Sequence, residues 1–389
     1  MKHALLLCAT FSMVVAAQQP GLRVDAVGRA YVSTLIEVPE DAADVGAWGS
    51  GNDVMPVVRM ASCDPVHPRA AAWLWLRGST DGSTRTLHPV PAPDSDGNGA
   101  EWWSLGVELN ERSMFLKGKR FLSTVSAAYD KQRVEDTMKP WQELFAADGA
   151  LKLTKGAGGQ YPHHRGVFLG WNSVEHGGAV HDFWHCRKGV SIRHRRFLDG
   201  GAASSPAAAR LVMEHEWCLA NDKPVVSEVR SLTAFSGDGF RALDVAIVLR
   251  ALSGPVKLGG DAHHAGFHVR AADAVCAAEK ETKTFLPESA RALGNDIHAD
   301  LHWGAMAFPL EGRTFTVLLI EHPDNPAGSV VSARPYGRLG FMPQATLTPD
   351  KPLLLRWRIV VFEELVREPA VLETHASTYR APPRIAVLR

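Results

Sequence analysis

Histidine is the side chain best suited to moving protons near neutral pH, and this chain places thirteen of its 17 histidines between His163 and His322. Histidine is not a favoured core filler, so the concentration points to chemistry. Two segments carry it. The first runs Thr154-Lys-Gly-Ala-Gly-Gly-Gln-Tyr-Pro-His-His-Arg-Gly166 and continues Val-Phe-Leu-Gly-Trp-Asn172. The second is Gly259-Gly-Asp-Ala-His-His-Ala-Gly-Phe-His-Val-Arg270. In the first, glycines permit close backbone approach and Pro162 stiffens the entry to the pair. Adjacent residues of a strand point to opposite faces, so His163 and His164 share a site only if they sit in a turn. One of them beside Arg165 would set a proton-transfer group next to an anion or hydroxyl binder. The plainer alternative is a turn held by histidine hydrogen bonds.

The second segment has the alternation of a strand. His264, Gly266, His268 and Arg270 fall on one face, and His263, Ala265, Phe267 and Val269 on the other. Two histidines and an arginine on a polar face make a ligand wall, and Asp261 is placed to orient an imidazole. Weaker candidates surround these. Asp182-Phe-Trp-His185 sets an aromatic platform beside an acid and a base, and sugar faces stack on tryptophan, which suits Trp171, Trp184 and Trp303. The equally plain role for these rings is core packing. Arg334-Pro-Tyr-Gly337 would aim Arg334 and Tyr336 at the same cleft, whereas Glu321-His-Pro-Asp-Asn-Pro326 ends a strand in a turn that its proline and asparagine explain. Histidines on facing strands could also bind a divalent or redox metal. No HxH or HExxH element is present, and the arginines would repel a cation, so the reading predicts no cofactor and keeps a divalent metal as the rival.

Composition narrows the partners. Lys plus Arg and Asp plus Glu both number 42 in 389 residues, without the basic surplus that binding nucleic acid requires. Residues 1–17 read as a secretory signal peptide: Lys2 and His3 precede an apolar run ending in Val15-Ala16-Ala17. That run is shorter than the roughly 20 residues of a spanning helix, and no later stretch is long enough. The expectation is a soluble periplasmic or secreted protein. Cys63, Cys186, Cys218 and Cys276 remain after the signal, too few for a disulfide scaffold in so long a chain.

The elements that position these residues announce themselves by period-two alternation. Leu243, Val245, Ile247 and Leu249 alternate with Ala242, Asp244, Ala246 and Val248, and similar runs occur at 30–38, 71–76, 102–109, 211–218, 315–321 and 353–362. Many short strands separated by Gly, Pro, Asn and Asp predict an all-β fold, a large antiparallel β-sandwich with a few short helices. The helices are expected at 139–147 and 363–373, with Pro369 breaking the second. Polar turns at 91–99 and 200–209 suggest a division into 18–115, an N-terminal β segment or small sandwich, and 116–389, the main sandwich carrying the histidines.

At Tyr-Pro-His-His-Arg-Gly (161–166), Asp-Phe-Trp-His (182–185), Gly-Asp-Ala-His-His-Ala-Gly-Phe (260–267), His-Pro-Asp-Asn-Pro (322–326) and Arg-Pro-Tyr-Gly (334–337), the chain resembles DUF6807, a family of bacterial exported proteins often labelled PmoA family or methane oxygenase-like. The resemblance spans about residues 120–365. The methane-oxygenase label implies a polytopic helical protein, which this chain's hydropathy does not match. More distantly, the Pro-His-His-Arg-Gly turn is similar to the histidine turn of galactose mutarotase-like sandwiches. That likeness implies a concave sheet on which histidines protonate sugars.

Together these readings give an exported carbohydrate-active enzyme. Its substrate is expected to be a glycoside, keto-sugar or uronic acid, handled by histidine general acid–base catalysis as hydrolase, lyase or epimerase. His163, His164, His264, His268 and Asp261 are the catalytic candidates. Arg165, Asp182, Trp184, His185, Arg270, Arg334 and Tyr336 are the substrate-binding ones. The alternatives are a histidine-ligated metal oxidoreductase and a non-catalytic sugar-binding envelope protein.

Overall fold

The computed structural model describes residues 21–50, 53–61, 70–91, 103–198 and 202–388. The expected signal peptide, Cys63, most of the 91–99 turn and the start of the 200–209 insertion lie outside them. Two large antiparallel sheets, of ten and nine strands, face each other. Between them lies one apolar core, drawn from Val167, Leu169, Trp171, Phe267 and Val269 on one side and Leu243, Val245, Ile247, Leu249 and Trp357 on the other. Phe267 and Trp357 stack across it with centroids 4.5 Å apart. The chain is therefore an all-β sandwich.

Its third layer explains a feature that alternation alone does not. The strand Phe240–Ala251 is buried along both faces, because a seven-stranded N-terminal sheet and the helix Pro369–Arg380 cover the outside of the nine-stranded sheet. Leu35, Val58 and Met60 of the small sheet meet Phe235, Ala242, Leu318 and Ile320 there. Sheet membership also crosses the expected division. Trp103–Glu108 and Glu111–Leu116 form the edge of the ten-stranded sheet, and the C-terminal strand Arg384–Leu388 pairs with Gly21–Asp25.

Both expected helices differ from what forms. Within 139–147 the chain makes the strand Trp141–Leu144, buried on both faces. The C-terminal helix starts at Pro369 instead of being broken there. Proline's fixed φ suits the first helical turn, and its missing N–H would have had no partner at that position. The insertion expected to be a surface loop is partly packed, since Ala207, Ala208 and Ala209 are buried. Cys186 and Cys218 are buried free thiols. Among the described residues no helix is long and apolar enough to cross a membrane.

Candidate active site on the outer face of the ten-stranded sheet

The site is built on three central strands of the ten-stranded sheet. Val167–Trp171 pairs with Ala265–Arg270, which pairs with Arg338–Met342. Alternation sends Val167, Leu169, Phe267 and Val269 into the core and leaves Phe168, His268, Arg270, Arg338 and Gly340 on the opposite face. The expected strand face is thus present for Gly266, His268 and Arg270. His264 lies just before the strand, in a turn closed by its own N–H bonding to Asp261 O at 3.0 Å.

Three turns roof this face. In the first, Tyr161 adopts a left-handed backbone conformation, rare for a residue with a side chain. The turn brings the His163 and His164 rings to 4.2 Å. The second turn is Asp182–His185. Asp182 Oδ1 accepts the backbone N–H groups of Trp184 and His185 at 3.1 and 2.8 Å, and its Oδ2 accepts the His185 Nδ1 proton at 2.8 Å. The third turn repeats that design. Asp261 Oδ1 accepts the His263 N–H at 3.0 Å and the His264 Nδ1 proton at 2.8 Å, while Asn172 Nδ2 donates to Asp261 Oδ2 at 2.7 Å. Both are Asp-x-x-His turns that hold an imidazole by Nδ1 and leave Nε2 free.

The turns converge. His163 lies 4.4 Å from His185, and His185 lies 5.2 Å from His264, centroid to centroid. The two histidine segments therefore meet at one place. His264 is the ring that reaches solvent, with its side chain 38% exposed against 13% for His185. Although burial pushes the Asp182 carboxyl up, hydrogen bonding and charge from His185 hold it below its usual range. Burial likewise raises Asp261, and the His264 charge with the Asn172 and His264 hydrogen bonds brings it down. Both carboxylates are therefore ionised at neutral pH and able to stabilise an imidazolium.

The remaining histidines of the cluster sit deeper. His163 is held down to about 2, chiefly by burial and then by the neighbouring His185 charge. His164 is buried, and its Nε2 accepts from Arg338 at 3.3 Å, which places its proton on Nδ1. Burial, then the Arg338 charge, drives its basicity far below the ordinary value. His268 is fully buried 4.7 Å below the Trp184 ring and donates from Nε2 to Ala265 O at 2.8 Å. The histidines proposed together from the sequence are thus unlike in the fold: His264 faces outward, and His164 and His268 form the floor. An added methyl group at Gly340 would overlap the His268 ring, so Gly340→Ala is expected to cost about 1–3 kcal/mol. Thermal unfolding checks this; an unchanged melting temperature would contradict the tight fit.

The other candidates are placed as follows. Trp184, with Trp171 and Trp303, has no face open to a sugar: all three are essentially fully buried. Trp171 donates to Pro343 O, and Trp303 to Glu373. Of the two roles left open for these rings, core packing is the one the structure shows, which corrects Trp184 as a substrate-stacking candidate. Exposed aromatic surface comes instead from Tyr161, which was not singled out, packed 5.2 Å from Tyr336. Arg165 is buried against Trp141, with Nε donating to Pro162 O at 3.1 Å. Arg334 is tied to the Asn295–Asp296 turn. Lys139 is a buried addition, donating to Trp184 O and pushed down to about 8 by desolvation. Arg338, one residue beyond Arg-Pro-Tyr-Gly (334–337), was also missed; it reaches this face through its pairing with Arg270. His194 and His215 lie apart on the nine-stranded sheet. Among the described residues, no three His, Cys, Asp or Glu side chains are disposed to hold a metal ion.

The sequence profile of the family of unknown function DUF6807 matches residues 114–377. The chain belongs to the DUF6807 family. No curated protein matches it in sequence. Among solved structures it is similar to a glycosyl hydrolase family 38 protein from Enterococcus faecalis, at 9% identity and TM-score 0.42, covering 95% of this chain and 47% of that one. It is also similar to a galactose mutarotase-like protein from Clostridium acetobutylicum, at 9% identity and TM-score 0.31, covering 68% of this chain and 100% of the other. A family 36 α-galactosidase from Geobacillus stearothermophilus matches at 9% identity and TM-score 0.31, over 67% of this chain and 40% of that one. The chain thus spans about half the length of the family 38 protein. Likenesses this weak bear on neither activity nor substrate, so the function of this DUF6807 protein has to be argued from its own residues.

Proposed function

We propose that this DUF6807 protein is an exported carbohydrate-active enzyme in which His185 and His264 work as a general acid–base pair. Its substrate would be a glycoside, keto-sugar or uronic acid. One observation carries the reading: two imidazoles, each fixed through Nδ1 by its own carboxylate, meet at 5.2 Å with Nε2 unengaged. A carboxylate in that position sets the tautomer and stabilises the imidazolium, as in hydrolytic triads. One neutral imidazole takes a proton at Nε2 from a substrate hydroxyl or an acidified carbon. The other, protonated, returns one to a leaving oxygen or to the opposite face of that carbon. Tyr161 and Tyr336 would supply the sugar-facing rim.

A second reading has a specific observation behind it. Metal-binding imidazoles are also oriented by carboxylates at the far nitrogen, so a divalent ion is the rival occupant. The two separate in one experiment, a screen of purified full chain against glycans, keto-sugars and uronic acids, with and without EDTA and with metal analysis. Turnover that survives EDTA is expected. No turnover on any sugar, together with stoichiometric copper or iron, would overturn the acid–base reading. The export step is tested by comparing the mature N-terminus after expression with cleavage following residue 17.

A further inference from the structure

The face beneath the imidazoles carries an arrangement that ordinary folding disfavours. Arg270 stands directly opposite Arg338 in the sheet register, and Arg338 directly opposite Arg334 on the next strand. Like charges at facing positions of a sheet repel, and a buried charge without a partner costs several kcal/mol. Arg270 and Arg338 are 0% and 1% exposed. The hydrogen bonds of Arg338 go to neutral acceptors, namely His164 Nε2, His263 O and Ser332 Oγ. Arg270 donates to the Ala271 and Tyr336 carbonyls, and its Nε and one terminal nitrogen are buried without a hydrogen-bond partner. The acids near this row are peripheral: Asp273, 45% exposed and 3.7 Å from Arg270, Asp296 beside Arg334, and Asp261, 53% exposed, whose charge reaches Arg338 from the imidazole turn. Tyr336 lies over all three guanidinium groups, at 4.9 Å from Arg270, 5.7 Å from Arg338 and 5.8 Å from Arg334.

We infer that the arginine row is an oxyanion subsite, and that the substrate of the imidazole pair is an acidic sugar whose carboxylate or phosphate is held by Arg270 and Arg338. This rests on the reading of His185 and His264 as the reacting groups. Guanidinium binds both oxyanions through paired N–H donors, and the donors left for it are Arg270 Nε and the terminal Arg270 nitrogen whose one charged neighbour is the part-exposed Asp273, 3.7 Å away and beyond hydrogen-bond length. His164 ties the subsite to the reacting groups, since it accepts from Arg338 and touches His163, which touches His185. An acidic group drawn to this row would anchor the sugar while its neighbouring carbons lie toward the imidazoles.

Calorimetric titration of the full chain with D-glucuronate, glucose 6-phosphate, inorganic phosphate and D-glucose tests the inference. At least one acidic sugar is expected to bind about tenfold or more tightly than glucose. Glucuronate alone would assign a carboxylate, and the two phosphates a phosphoryl group. Arg270→Met and Arg338→Met, with folding checked by circular dichroism, are expected to lose that preference, while His264→Asn keeps it. Equal affinity for glucose and both acids in the wild-type protein, or no binding by any acid, would overturn the subsite whether or not the variants fold. Folded arginine variants with undiminished acid binding would overturn it too. Acid binding that depends on the arginines, combined with turnover indifferent to His264, would uphold the subsite and refute the acid–base reading.

Discussion

Acidifying the protein from pH 7 to pH 5 is expected to remove most of its stability, with an unfolding midpoint between about pH 4 and pH 6. His164, His215, His268 and His375 are all at most 4% exposed. Burial, as the first cause, depresses each below its ordinary value, His375 to about 3. A group whose folded value is depressed stays neutral in the fold while the unfolded chain takes up its proton. Its contribution is therefore intact above the unfolded value, near 6.5, and is lost as the pH falls below it. Each such imidazole costs about 2 kcal/mol at pH 5 by the same linkage, against a total stability of about 5–15 kcal/mol. Glu321 works in the opposite direction. Burial raises it to about 7, so between about 4.5 and 7 it stabilises the fold as the pH falls, offsetting roughly one histidine. Circular dichroism against pH checks this. A protein fully folded at pH 4 would show that these imidazoles accept protons without unfolding.

Replacing His185 or His264 by asparagine is expected to slow turnover of the substrate found by screening by about 100- to 10,000-fold, the usual worth of a general acid or base. The fold should be retained, because His264 is part exposed and its one strong partner, Asp261, keeps Asn172. Asp261→Asn is expected to act through the imidazole it holds. An amide in that position no longer favours the Nδ1 proton, so kcat falls while KM changes little. A loss confined to KM would mean that Asp261 binds substrate and leaves the imidazole alone.

The sandwich and the polar strand face were legible because strand alternation has period two, and the core strands and the second histidine segment keep it over several residues. Gly266, His268 and Arg270 do share the face that their spacing implies. Depth was not legible. His264 and His268 alternate identically, yet one lies in a turn at the rim and the other lies under Trp184, a residue from a separate turn. The tryptophans were ambiguous for the same reason: stacking and core packing use the same ring, and only the covering layers decide between them. The 139–147 segment read as helix because its short apolar spacing did not show that both faces of the strand Trp141–Leu144 would be covered. The most informative signal was visible but not taken. Asp-x-x-His occurs at 64–67, 182–185 and 261–264, and the last two build the carboxylate-held imidazoles.

Proton NMR of uronic acids, keto-sugars and glycosides incubated in D2O tests the central claim most directly, because it reports bond cleavage and exchange of carbon-bound hydrogen together. The account predicts one of these reactions in the wild-type protein, unaffected by EDTA, and its loss in both His185→Asn and His264→Asn. A reaction that runs at the wild-type rate in both variants would contradict it.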